Sequence, residues 1–227
     1  MTAKASRTPL SRERVLAAAV ALVDSEGIQA LTMRRLAADL GVEAMSLYYH
    51  LPAKEALLDG VVETVLAEID AATAGSPANG DDWRARIRRQ FLAARQVMLR
   101  HPWMPGLLST RRTIPPRVFA YYDGILGVMI DAGFSYRLAH RALHAFGSMP
   151  LGFVQEIFSP GAADGGAEDG ASEAELAALA QQMPHLAAMM AAEMHDSADP
   201  TLGWCDGQVE FEFTLDLLLD GLERLRA

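Results

Sequence analysis

A single cysteine, Cys205, stands in 227 residues, so no disulfide framework holds this chain and a reducing compartment suits it. Aromatic residues make up only 7% of the sequence, and no run of about 18 apolar residues occurs, so no spanning helix is expected. The first ten residues, MTAKASRTPL, lack an apolar h-region. No secretory signal is therefore expected, and the expected location is cytoplasmic. Sustained period-2 alternation is missing, which leaves no expected sheet. Also missing are a nucleophile elbow, a P-loop, a dinucleotide fingerprint and a paired-carboxylate motif. The chain thus reads as no enzyme and as needing no cofactor. Positive charge is scarce as well: the formal net charge is −9, which at first sight argues against a polyanionic partner.

What is present changes that impression. The length and the 51% apolar content suffice for a sizeable core. Residues 1–54 carry seven basic and five acidic residues, a local charge of +2, whereas residues 55–227 carry 13 basic and 24 acidic, or −11. A small polyanion-binding end attached to a larger acidic body fits this asymmetry.

Everything periodic has the helical period. Residues 11–26 place Val15, Ala18, Ala19, Leu22 and Val23 on one stripe, with Ser11 as N-cap and Gly27 as stop. Thr32 caps a short helix that Gly41 ends; a second short helix spans Ala44–His50, and a longer one runs over 54–72. Trp83, Ile87, Phe91, Ala94 and Met98 mark a helix over 82–100. Helices over 117–132 and 135–158 follow, the first stopped by Gly133 and the second capped by Ser135 and interrupted at Gly147/Pro150. Residues 160–171 read as a mobile loop, 172–194 as an Ala-rich helix bent near Pro184, and 208–226 as the last helix.

The stretch LTMRRLAADLGVEAMSLYYHLPAKEALL, residues 31–58, carries the chemistry. Two short helices with a tight turn at Gly41 make a helix-turn-helix, with Ala37 small at the crossing and Leu36, Leu40, Val42 and Leu47 fixing its angle. Ala44, Met45, Ser46, Tyr49 and His50 then fall on or near the outer face of a helix of the size that enters a major groove. An ordinary helical hairpin without DNA is the competing reading of this spacing.

This stretch resembles the DNA-binding domain of the TetR (tetracycline repressor) family of bacterial transcriptional regulators, with Leu-Tyr-Tyr-His followed by Pro-Ala-Lys-Glu-Ala-Leu-Leu as its specific signature. A weaker similarity continues through WRARIRRQFLAARQVMLRHPWM and DAGFSYRLAHRAL to FEFTLDLLLDGLERLRA. The resemblance implies an all-α homodimer of about nine to ten helices. A three-helix DNA-binding domain would occupy residues 1–54, with the fourth helix, 54–72, leading into a ligand-binding and dimerisation domain over 55–227. Its implied function is a ligand-responsive regulator, most simply a repressor released from a palindromic operator in double-stranded DNA by a small-molecule inducer. The competing classes are a helical binding or interaction protein without specific DNA binding, and an enzyme using a pocket His.

Roles follow as expectations. By the resemblance, Tyr48 and His50 match phosphate-contacting positions and Lys54 matches a basic residue at the start of the fourth helix. Thr32, at a helix N-terminus, suits phosphate too. Arg34 can hold guanine O6/N7 bidentately, Ser46 and Tyr49 can reach base edges, and Ala44 and Met45 can touch a thymine methyl. Arg35 reads equally well as solvated surface, and Lys4 and Arg7 as an arm.

In the acidic body, Gln90, Met98, Phe119, Tyr122, Leu126, Leu143, His144 and Gly147 mix apolar and polar groups as ligand pockets do. The last helix is apolar on two sides; Phe211, Leu215, Leu218 and Leu222 are the expected dimer face, with Phe213, Leu217 and Gly221 on a second stripe. Against the tetracycline repressors, Asp70 stands where they carry a drug-contacting histidine, and Ser109 or Thr110 where a histidine coordinates magnesium. Glu156 matches their acidic residue. A more apolar inducer is therefore expected. His140 and His144 share a helix face at zinc-ligand spacing, yet no HExxH and no third ligand accompany them. They are read as packed or interface histidines, and no metal is expected. Cys205, beside Trp204, is read as inert.

Overall fold

The computed structural model describes residues 9–74, 82–152, 181–185, 187–188 and 207–226. The chain divides into two compact units, Met1–Val154 with Arg224–Ala227, and Gln155–Glu223. Among the described residues every regular element is helical, and no helix is long and apolar enough to cross a membrane.

In the first unit, α1 (Arg12–Glu26) starts where the Ser11 hydroxyl accepts the Arg14 N–H at 3.2 Å. It ends at Gly27, with φ +81°. A single 3-10 turn, Ile28–Ala30, leads to α2 (Met33–Leu40), which Thr32 caps by accepting the Arg35 N–H at 3.1 Å. Gly41 adopts the left-handed conformation at φ +65°, and the N–H groups of Gly41 and Val42 close on the Ala38 and Ala37 carbonyls. This paired C-terminal closure satisfies carbonyls the helix leaves open and turns the chain sharply into α3 (Ala44–Tyr48). α3 stops two residues before the expected His50. α4 (Lys54–Thr73), α5 (Trp83–Arg100), α6 (Met104–Ser109), α7 (Pro116–Asp131) and α8 (Tyr136–Gly152) complete the described part of this unit. The expected cap at Ser135 is present, accepting from the Leu138 N–H, and Asp82 caps α5 by accepting from the Ala85 N–H. α8 runs on through Gly147 and Pro150 without the expected interruption.

One core runs from α1 through α4 to α6 and α7. Val15, Leu16, Ala19, Leu36, Leu47, Leu57, Val61 and Val65 fill it at the head, continuing through Leu66, Ile69, Val97, Met98 and Met104. Within α5 to α8, Phe91 stacks on Phe146 at 4.8 Å and Trp83 meets Phe134 edge-on at 4.8 Å. The crossing of α1 on α4 is tight. A Cβ added at Gly60 would lie 2.6 Å from Leu16 Cδ2, so any larger residue here must displace the buried Leu16 side chain.

Of the second unit, residues 181–182 and 184–185 are helical and Met183, directly before Pro184, is not. The rest of the expected 172–194 helix, the 160–171 loop, Lys4, Arg7, Glu156 and Cys205 lie outside the described residues. α9 (Gly207–Arg226) buries Phe211, Leu215, Leu219 and Leu222 and exposes Val209, Phe213, Leu217 and Leu225.

Replacing Gly60 by Val should force α1 away from α4. A loss of about 1–3 kcal/mol is expected, read as a lower urea midpoint with unchanged m.

Candidate DNA interface and ligand pocket

The outer face of α2 and α3 is built by inside-out contrast. Leu36 and Leu47 are fully buried and Ala37 nearly so, with α2 packed on α1 and α3 on α2. Met45 (69% exposed), Tyr48 (41%) and Tyr49 (89%) then point to solvent, although large apolar and aromatic groups are normally withdrawn from it. Ala44, Ser46 and His50 are half-buried at the edge of this face, and Thr32, Arg34 and Lys54 are exposed. All nine residues expected at a DNA surface are therefore reachable by solvent. The Thr32 oxygen accepts the cap hydrogen bond, which leaves its O–H to donate outward. Arg35 is engaged elsewhere. Its guanidinium pairs with Glu26 and Asp39, binding α2 to the end of α1.

Behind this face, buried polar groups tie the head to the helices that follow. His101, only 5% exposed, places Nδ1 2.7 Å from Asp24 Oδ1 at the end of α1 and Nε2 3.3 Å from Glu68 Oε2 of α4. The Trp103 indole N–H donates to the same Asp24 oxygen at 2.7 Å, and Arg100 donates to Glu68 at 2.6 Å. The step from α5 to α6 is thereby fastened to α1 and α4 together. Burial pushes the Glu68 carboxyl up, but hydrogen bonds from Arg100 and His101 outweigh it and hold the group below its ordinary pKa. Arg111, past α6, donates to Asp59 at 2.8 Å and to Glu55, both near the start of α4.

Beyond that belt lies an apolar cavity of about 50 Å³. α4 contributes Leu66 and Ile69, α5 Phe91, Ala94 and Met98, and α6 Leu108. Val118, Tyr121, Tyr122 and Ile125 come from α7, and Leu143, Phe146 and Gly147 from α8. Burial pushes the Tyr121 hydroxyl far above its ordinary pKa, against the opposing effect of a hydrogen bond with Gln90, so it stays a neutral polar group.

Four of the eight expected pocket residues line this cavity: Met98, Tyr122, Leu143 and Gly147. The others do not. Phe119 is 58% exposed on the far side of α7, and Leu126 is half-buried off the cavity wall. Gln90 lines a separate, more polar surface cleft with Asp70, Thr73 and Arg86, and His144 is exposed beside His140. A helix with apolar residues on several faces hides which one looks inward, and α7 is such a helix. On α6 the pocket residue is Leu108, not Ser109 or Thr110, both of which turn hydroxyls back onto helix carbonyls. Sequence reasoning misses Leu108 and the α4 residues, though the adjacent apolar pair Leu107-Leu108 in a Pro-flanked short helix is a usable signal. Asp70 pairs with Arg117 and does not reach the cavity.

Of the residues expected at a dimer face, Phe211, Leu215 and Leu222 are buried within the single chain and Leu218 is half-buried, while Val209, Phe213, Leu217 and Leu225 are exposed. Two apolar stripes on one helix are equivalent by periodicity, and only packing distinguishes them.

Because the Glu68 carboxyl is held low by its partners, its contribution to stability is complete above the ordinary carboxylate range and fades as pH falls through the folded value. The variant Glu68→Gln should therefore flatten the acid limb of a stability–pH curve below about pH 4.3 and lower the melting temperature at neutral pH. Identical acid limbs would refute the role given to this carboxylate.

Comparison with known proteins agrees with this geometry. Residues 15–61 match the family described as bacterial regulatory proteins, tetR family, and residues 76–226 match the tetracyclin repressor-like C-terminal domain. The class C tetracycline repressor protein of Escherichia coli is 32% identical over 96% of this chain and 92% of its own length. An HTH-type transcriptional regulator of Saccharopolyspora erythraea is 35% identical over 58% of this chain, a match spanning about half (55%) of that relative. A possible TetR family transcriptional regulator from Streptomyces coelicolor A3(2) superimposes with a TM-score of 0.71 at 31% identity, over 95% of this chain and all of that one. On the head geometry and these matches together, the chain belongs to the TetR family of bacterial transcriptional regulators.

Proposed function

We propose that this protein is a cytoplasmic, homodimeric repressor, not an enzyme, that leaves a palindromic operator when a small apolar molecule enters the α4–α8 cavity. The observation that carries the reading is the coexistence, on one continuous core, of an outward-facing Met45–Tyr48–Tyr49 surface and an apolar cavity. Residues up to 54 act as the DNA-binding domain, α4 is the connection, and the remainder binds ligand and partner.

In this reading Tyr48, His50, Lys54 and Thr32 contact phosphate and set register, while Arg34, Ser46 and Tyr49 read base edges and Ala44 and Met45 touch thymine methyls. A palindrome needs two such heads about 34 Å apart, and the exposed Val209–Phe213–Leu217 stripe of α9 supplies apolar surface for a second copy. The inducer is uncharged and largely apolar. Ser109 and Thr110 turn their hydroxyls onto helix carbonyls and Asp70 is paired with Arg117, so neither expected position presents the histidine that a tetracycline repressor carries.

A ligand-sized site has about 300–1,000 Å³, so a 50 Å³ cavity is the contracted state. An inducer must spread α4 through α8 to fit, and it therefore binds the expanded arrangement far better than the contracted one. That differential affinity is what shifts a two-state equilibrium. Because α4, α5 and α6 are fastened to α1 by Asp24, His101 and Glu68, expansion of the cavity moves the heads.

Three substitutions test this. The Lys54→Ala change should weaken binding to every DNA sequence and lower the salt slope by about one unit, and Arg34→Ala should relax preference at one base pair per half-site by about 1–3 kcal/mol. Both are read in binding titrations on the selected operator, and wild-type behaviour of both variants refutes the interface. Leu217→Glu should yield monomers in sedimentation velocity and abolish tight operator binding; a dimer that persists would move the partner surface elsewhere.

A further inference from the structure

We infer that His140 and His144 on α8 form a chelating site for a borderline transition-metal ion of the Zn²⁺, Ni²⁺ or Cu²⁺ class. The sequence places the two imidazoles one helical turn apart and reads them as packed or interface histidines. The structure shows both exposed on the single chain, so packing within the chain does not account for them. Their Nε2 atoms converge to 3.2 Å, with ring centroids 4.7 Å apart and ring planes at 88°. The rings are thus not stacked, and they meet through the very atoms that ligate metals.

The spacing fits one shared ion. With metal–nitrogen bonds of about 2.0–2.1 Å, two nitrogens at this separation subtend an angle of roughly 100° at the metal, between the square-planar and tetrahedral values. An N–H···N hydrogen bond is the other use of such a distance, but between solvent-exposed rings water competes with it. A metal ion replaces that single bond by two coordinate bonds. Imidazole donors select the later first-row ions over Mg²⁺ or Ca²⁺. Among the described residues no third His, Cys, Asp or Glu completes a cluster, so the two imidazoles by themselves make a bidentate site. The helix fixes both Cβ positions, so closing the chelate orders only side-chain torsions. Leu143 and Gly147 of the same turns line the apolar cavity, so the ion would staple the stretch of α8 that forms its wall.

The test is isothermal titration of tag-free, full-length protein with zinc chloride and, separately, nickel chloride in a non-chelating buffer. One ion per chain is expected. His140→Ala and His144→Ala should each lower the affinity about ten-fold or more, while His185→Ala leaves it unchanged. Lowering the pH to about 5.5 should weaken binding in the parent protein, because a ligating imidazole must be neutral. Absence of binding, or affinity retained in either of the two α8 variants, overturns the site. Neither the operator nor the inducer enters the measurement, so its outcome is independent of the regulatory reading.

Discussion

Much of this structure depends on α4 being buried at both ends against different neighbours. Its first half, Leu57 to Val61, packs against α1, on which α2 is seated, and its second half, Leu66 and Ile69, forms a wall of the cavity. A helix so placed cannot shift at one end alone, because close-packed interiors transmit displacement instead of absorbing it. At Gly60 the Leu16 side chain of α1 packs directly over the α4 backbone. The carboxylates Glu55, Asp59, Glu63 and Glu68 along the same helix are each met by Arg111, Arg12, Arg100 or His101. The exposed Arg12–Glu63 and Arg100–Glu68 pairs contribute little to stability, whereas Arg111 and His101 make theirs with nearly buried side chains. Their number along one helix acts on orientation, holding α4 at one rotation about its axis.

The head is legible in the sequence because its signals are local. Ser11, Thr32 and Gly41 each do within three or four residues what their chemistry dictates, and the cap hydrogen bonds and the φ of +65° follow. The outward-facing residues are legible for the same reason: once Leu36 and Leu47 face inward, a short helix leaves no choice about what faces out. The pocket and partner surface are legible only in part, since they depend on which of several apolar stripes meets which neighbour. Phe119 and Tyr122 lie three apart on α7, yet one is exposed and the other lines the cavity. On α9 the stripe through Leu219 is taken up internally and the stripe through Phe213 is not. Periodicity gives the faces of a helix but not their addresses.

Charge is organised on the same plan. Arg12 and Arg35 of the head are engaged with Glu63, Glu26 and Asp39, while Arg34 and Lys54 stand exposed at the edge of the aromatic face. A head with a net charge of only +2 on an acidic body has little long-range attraction for phosphate. Sliding and nonspecific retention should then be brief, and discrimination should rest on short-range fit.

α3 spans five residues, too few to be helical in isolation, and it owes its form to Leu47 being locked in the core. Folding information and reading information are therefore carried by different positions of one short segment. Exchanging Met45 or Tyr49 touches nothing inside, and such surface changes usually alter stability by less than about 0.5 kcal/mol. The segment is evolvable in a specific sense. A duplicated copy of this gene could drift to a new operator by single steps, each of which still folds, without passing through an unstable intermediate.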